Sequence, residues 1–165
     1  MFALARRNSQ SAGVADRATF VQGDIFETDF TKGTVITMFL LPELNRRLMP
    51  QLLSLRPGTR VVSNSFPIGD WTPDQTIVLT AEKGCETAWC TAMAWIVPAR
   101  VVGTRATSAG ELALDQNYQK VNGTLKAADG SVVPVDGTVV GDEVVLRAGA
   151  RELRGRVVGG RVTIP

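Results

Sequence analysis

Asp24 stands in the acidic turn that ends a predicted strand in the run Thr19-Phe20-Val21-Gln22-Gly23-Asp24-Ile25-Phe26. A carboxylate at the end of a strand can accept a hydrogen bond from a ligand amine, and in open α/β sheets ligands sit at the carboxyl ends of strands. The same carboxylate after Gly23 also suits a plain turn. Further candidates gather after the next apolar run, Thr34-Val35-Ile36-Thr37-Met38-Phe39-Leu40-Leu41-Pro42, where Glu43 and Asn45 fall in the first turn of a helix. Acidic residues and proline are favoured there for structural reasons as well as for binding. Phe66-Pro67 and Trp71-Thr72-Pro73 form an aromatic, proline-rich stretch that either packs over a sheet end or touches a substrate. Asp29 reads as a solvated loop carboxylate, and Trp89 and Trp95 read as core.

The composition narrows the chemistry. The chain has no histidine, which removes His-dependent triads, His zinc sites and the usual general base near neutral pH. No metal site is expected. Cys85 and Cys90 fit neither zinc nor CxxC spacing. We expect them to be reduced and half-buried near a strand start, over a disulfide or a reactive thiol, and this favours a reducing, cytoplasmic setting. With 18 basic and 16 acidic residues the formal net charge is +2, too small to argue for nucleic-acid binding or a membrane surface. No apolar run approaches the ~20 residues of a membrane span, and the first 14 residues lack the apolar segment of a secretory signal.

The elements that must position these residues begin with helical spacing over residues 2–12, stopped at Gly13. Strands are predicted over 18–22 and 34–40, the second apolar on both faces like a central, covered strand. A helix over 42–55 carries Leu44, Leu48, Leu52 and Leu55 on one stripe, with Pro50 predicting a kink or break. Pro57-Gly58 turns the chain into a strand over 59–65. Residues 75–82 and 86–97 read as an antiparallel pair around Lys83-Gly84. From residue 101 the pattern changes to short alternating stretches near 112–116, 119–127, 132–140, 143–147, 152–158 and 161–164, separated by glycine-containing turns. Tyr118, Asn122-Gly123 and Asp129-Gly130 are turn and packing positions. This predicts an α/β part over residues 1–100 and a small antiparallel β-meander or barrel-like module over 101–165, with a thin core that relies on docking.

Two segments carry a family resemblance. Gly13-Val14-Ala15-Asp16-Arg17-Ala18-Thr19-Phe20-Val21-Gln22-Gly23-Asp24 resembles the third-strand region of class I S-adenosylmethionine-dependent methyltransferases. Phe39-Leu40-Leu41-Pro42-Glu43-Leu44-Asn45, followed by Pro57-Gly58-Thr59-Arg60-Val61-Val62-Ser63-Asn64-Ser65-Phe66-Pro67 and Asp70-Trp71-Thr72-Pro73, is similar to bacterial relatives of the lysine methyltransferases acting on the mitochondrial ATP synthase and the adenine nucleotide translocase. The resemblance covers roughly residues 2–100. It implies a partial Rossmann-like methyltransferase sheet, S-adenosylmethionine as cofactor, and a protein lysine or small amine as methyl acceptor. Asp24 matches the residue that binds the adenine amino group and Ile25 its ring-packing neighbour. Phe39, Leu40 and Pro42 match the segment beside the transferable methyl, and Phe66, Pro67 and Trp71 a stretch near the substrate. Asn45, in the adjoining helix turn, joins the acceptor-side candidates. No catalytic residue is assigned, because methyl transfer rests on alignment and desolvation.

In that family the sheet runs third, second, first, fourth, fifth, seventh, sixth strand, with a Gly-rich loop after the first strand. Neither that loop nor the first two strands is found here, so the reading is of the later part of such a fold, from a truncated gene product or a late start. The strands over 34–40, 59–65, 75–82 and 86–97 are expected to hold together. The strand over 18–22 either pairs with 34–40, binds another chain or stays unpaired. Two readings of function follow: a methyltransferase-like enzyme, or a non-catalytic binding or assembly module that uses exposed sheet edges, with a homodimer as one form.

Overall fold

The computed structural model of the chain describes residues 1–164. Helix α1 (Phe2–Ser11) follows the helical spacing and ends at Ala12, before Gly13 with φ +67°. It buries only Ser9, so it lies outside the apolar cores. The strand expected over 18–22 does not form, and these residues run as irregular, mostly exposed chain. A strand needs a ladder partner, and among the described residues 18–22 have none. The segment after them is anchored to a helix instead. Phe26 and Phe30 pack against the core, the Gln51 side-chain amide donates to the Phe26 carbonyl at 2.5 Å, and the Arg47 guanidinium lies 3.7 Å from the Phe26 ring centroid.

Four strands form the first sheet: β1 (Val35–Met38), β2 (Arg60–Asn64), β3 (Gln75–Val78) and β4 (Thr91–Ile96). They lie in the order β1-β2-β4-β3, with β1 parallel to β2 and the other pairs antiparallel. This is the order implied for the last four strands of the family's sheet. Contrary to the expectation of a covered central strand, β1 stands at the sheet edge, and Val35 at its start is 43% exposed. Helix α2 (Pro42–Leu53) makes the crossover that a parallel pair requires. Pro42 occupies its first turn, and Leu48, Leu52 and the following Leu55 are buried on the expected stripe. Pro50 does not break the helix, because it sits in the last turn, where only one ladder bond is forfeited.

The β3–β4 hairpin is shorter than its sequence suggests. Its connection holds a single 3₁₀ turn (Ala81–Lys83) and then a disulfide between Cys85 and Cys90, with Cα atoms 5.8 Å apart. The expectation of reduced cysteines is therefore corrected, and the argument from them for a reducing setting lapses. The chain reversal at Gly84 (φ +82°) brings the two residues into bridging range, which their spacing alone did not show.

The second sheet is a seven-stranded antiparallel meander in sequence order: β5 (Gly103–Thr107), β6 (Gly110–Asn117), β7 (Lys120–Lys126), β8 (Val132–Val140), β9 (Glu143–Ala148), β10 (Arg151–Val158) and β11 (Arg161–Thr163). Strand β5 was not anticipated. Among the described residues β5 and β11 are not paired with each other, so the sheet is not hydrogen-bonded into a barrel. Alternate residues of its strands build an aliphatic core around Leu112, Val139, Val144 and Leu146. A separate core gathers Leu48, Leu52, Val61, Ile68, Trp71 and Trp95 between α2 and the first sheet.

Polar contacts join the two sheets at the β6–β7 turn. The Trp71 indole donates to Gln119 Oε1 at 3.1 Å, and Gln119 Nε2 donates to the Thr72 carbonyl at 2.7 Å. The Tyr118 ring stacks on Trp71 with centroids 6.1 Å apart, and its hydroxyl donates to Asp70 at 2.6 Å. A backbone bond from Ala99 to the Gly141 carbonyl at 2.7 Å adds a second point of attachment.

Candidate functional site

Parallel pairing sets the carboxyl ends of β1 and β2 side by side. Phe39 and Phe66, in the chain leaving each strand, meet there with their rings stacked at 5.9 Å and 17°. Trp89 closes on both, with centroids 5.8 Å from Phe39 and 5.3 Å from Phe66. Trp89 is thus no core residue: it is 49% exposed and Phe39 57% exposed. The hairpin connection carries Trp89 outward over the sheet end, whereas Trp95, inside β4, is fully buried as expected.

The loop after β2 is braced from α2. Asn45, fully buried, donates through Nδ2 to the carbonyls of Phe66 (3.2 Å) and Pro67 (3.1 Å) and toward Ser63 Oγ (3.3 Å). Ser63 Oγ itself donates to the Phe66 carbonyl at 2.7 Å. Asn45 Oδ1 is buried without a partner among the described residues. Its amide therefore holds the chain that carries Phe66, with no free donor for a ligand. Ser65, just before Phe66, sits at φ +62°, a conformation a non-glycine residue adopts at a cost. Pro42 and Pro67 are exposed at the same end. At the rim, Glu43 and Arg46 pair at 2.5 Å, and this bond and charge hold the Glu43 carboxyl below its ordinary range.

Asp24 lies in the segment fixed by Phe26 and Phe30. Its Oδ1 accepts the Phe26 backbone N–H at 2.8 Å, and its carbonyl accepts the Thr28 hydroxyl at 2.7 Å. The carboxylate thus shapes its own turn while remaining exposed to solvent. Asp29 does the same for Thr31, and those hydrogen bonds lower its pKa. Ile25 reaches an apolar hollow of about 170 Å³ that it shares with Ile36, Phe39, Leu40, Leu48 and Leu52. Four of the expected cofactor-side and acceptor-side residues, Ile25, Phe39, Leu40 and Phe66, therefore converge around the β1 terminus. Trp71 does not join them. It is 1% exposed, and its carbonyl accepts the Trp95 indole at 2.8 Å. It packs the sheet against the β-module, because the β6–β7 turn covers it, so the expectation of substrate contact is corrected.

An exposed carboxylate beside a small apolar hollow suits a flat base that carries an amine. The adenosyl end of S-adenosylmethionine has that chemistry, and the residues fit it. No glycine-rich loop for its methionyl end occurs among the described residues. Trp89 is the participant that sequence reasoning missed. Its position one residue before Cys90 was the available signal.

The match to a known family covers Asp24, Ile25, Phe39, Leu40, Phe66 and Pro67 of this end of the sheet, but not Trp89. Residues 1–75 match the family model of the ANTKMT methyltransferase domain. A protein-lysine N-methyltransferase of Saccharolobus islandicus is 48% identical over 71 residues, 42% of this chain and 44% of the relative. A lysine N-methyltransferase of Mus musculus, named for a component of the ATP synthase, is 33% identical over 85 residues, 51% of this chain and 33% of the relative. Among solved structures, an RNA methyltransferase from Salinibacter ruber in complex with S-adenosyl-L-homocysteine is similar with a TM-score of 0.53 and 40% identity, covering 61% of each chain. The chain spans less than half the length of these curated relatives. The resemblance to the lysine methyltransferase family holds over the residues matched.

Proposed function

From that match, which spans every cofactor-side candidate, we propose that the chain takes part in S-adenosylmethionine-dependent methyl transfer to a protein lysine or similar amine. The observation that supports this most is the convergence of Ile25, Phe39, Leu40 and Phe66 at one strand end within the matched region. We read the first sheet with α2 as the later part of a Rossmann-like methyltransferase sheet, residues 1–100 as one unit and 101–165 as a second.

In this reading Asp24 accepts a hydrogen bond from the adenine amine, and Ile25, Phe39 and Leu40 supply apolar walls. The bound cofactor supplies a methyl on a sulfonium, an electrophile that needs alignment more than acid–base help. Pro42, Phe66 and Pro67 face the acceptor, and Asn45 positions the loop that carries two of them. Apolar walls disfavour an ammonium and so favour the neutral, nucleophilic amine. The lysine acceptor is taken from the curated relatives. The solved neighbour is named for RNA, and the small net charge favours the former. No helix of the described residues is long and apolar enough to cross a membrane, which is compatible with a cytoplasmic setting, although the cysteines no longer argue for one.

Mass spectrometry after incubation with S-adenosylmethionine and a lysine peptide tests the proposal: gain of methyl groups, reduced at least tenfold in Asp24→Ala, supports it, and an unmodified peptide opposes it. One observation favours the alternative of a binding or assembly module. Among the described residues the edge strand β1 has no partner on one side, and Ile77 and Val78 on the opposite edge are 47% and 61% exposed. Concentration-dependent self-association without methyl transfer is the outcome that module, or a homodimer through the sheet edges, predicts.

A further inference from the structure

Residues 18–22 form no strand, so the turn at Asp24 is not carried on the sheet. Its backbone is closed locally: the Glu27 N–H donates to the Asp24 carbonyl at 3.2 Å, beside the Thr28 hydroxyl. Such bonds shape a turn without fixing where it sits. What fixes it lies on α2. Arg47 and Gln51 are four residues apart, hence on one face of the helix, and both reach Phe26. The Arg47 guanidinium covers the Phe26 ring, and Gln51 Nε2 donates to the Phe26 carbonyl. Phe26 also packs against the core, but apolar contact has no direction, whereas a hydrogen bond aims the peptide that makes it.

The same residue gives its backbone N–H to Asp24 Oδ1 at 2.8 Å. A chain of contacts therefore runs from α2 through Phe26 to the carboxylate. Among the described residues Oδ2 is left unengaged, with lone pairs for an incoming N–H. The helical neighbours of the two clamping residues, Leu48 and Leu52, line the apolar hollow with Ile25. One helix thus supplies walls of the hollow and the tether of the acid beside it.

A second observation separates Gln51 from a packing residue. Its Oε1 is buried without a partner among the described residues. An unpaired buried oxygen destabilises a fold, so an amide here is a poor choice for stability alone. Rotating the amide would set Oε1 against the Phe26 carbonyl, two acceptors face to face, so the nitrogen is held where it donates.

We propose that Gln51 and Arg47 are positioning residues that hold the Asp24 turn against α2, so that its carboxylate meets the amine of an adenine and discriminates against a base without one. The inference rests on the methyl-transfer reading and deepens its cofactor side.

Calorimetric titration of the whole chain compares S-adenosylhomocysteine with S-inosylhomocysteine, in which a carbonyl replaces the amine of the base. The wild-type chain should prefer the first by about tenfold or more, the scale of a hydrogen bond to a charged group. Gln51→Met keeps the length and bulk of the side chain and removes both the donor and the unpaired oxygen. It should cut the preference several-fold while the thermal midpoint holds or rises. Arg47 is exposed, so Arg47→Met tests the tether without touching the core and should lower the preference by about twofold. Arg47→Lys, which keeps a cation, should retain more of it. Equal weakening of both ligands, or a preference that survives Gln51→Met in full, overturns the inference while the methyl-transfer reading stands. A wild-type chain that binds both ligands equally overturns it as well. If the wild-type chain binds neither, the methyl-transfer reading falls and the inference with it.

Discussion

Trp71 shows how one side chain can be read for chemistry and turn out to serve packing. Its indole N–H, its carbonyl and its ring are engaged by Gln119, Trp95 and Tyr118. Trp71→Phe should keep most of the packing but strand Gln119 Oε1, costing about 1–3 kcal/mol. Trp71→Ala should cost about 3–5 kcal/mol. Urea unfolding measures both, and neither loss should be specific to ligand binding. The sequence placed Trp71 correctly between prolines near a sheet end. What it did not show is a partner 48 residues away, because that contact depends on where the β-module lands. Tyr118, on the same seam, gives a pH signature. Its bond to Asp70, then burial, raises its pKa above the ordinary 10.0. A raised pKa means the folded state holds the proton more tightly, so this stabilisation is present below pH 10 and lost as pH rises beyond it. Tyr118→Phe should flatten that alkaline fall in thermal midpoint.

At the level of elements, local signals were legible and paired ones were not. The leucine stripe of α2 and the glycine turns of the meander are written within a few residues, and they formed close to where they were expected. A strand exists only with a neighbour, so residues 18–22 could read as a strand and still remain irregular. The cysteines are similar: their pairing follows from the reversal at Gly84, a property of the hairpin rather than of the spacing. The meander also depends on close strand contact. A Cβ on Gly123 would stand 1.9 Å from the Ala113 carbonyl oxygen of the next strand. Gly123→Ala should therefore destabilise the module by about 1–3 kcal/mol or more as β7 is forced from β6. Loss of amide-exchange protection on β6 and β7, with α2 still protected, is the expected pattern.

Across the whole molecule, two apolar cores meet at a polar seam, and the candidate site lies on the first of them at the shared end of β1 and β2. The site was half legible. Ile25, Phe39, Leu40 and Phe66 were named from the sequence and do converge, while Trp89 was read as core, because only the hairpin connection brings it over the sheet end. Everything proposed about activity depends on whether this end of the sheet accepts an adenosyl ligand. Calorimetric titration of S-adenosylhomocysteine into the purified chain decides that most directly. Saturable heat at micromolar affinity is expected, weakened at least tenfold by Asp24→Ala while the thermal midpoint of the variant is unchanged. A folded chain that gives no heat, or binding indifferent to Asp24→Ala, would contradict it.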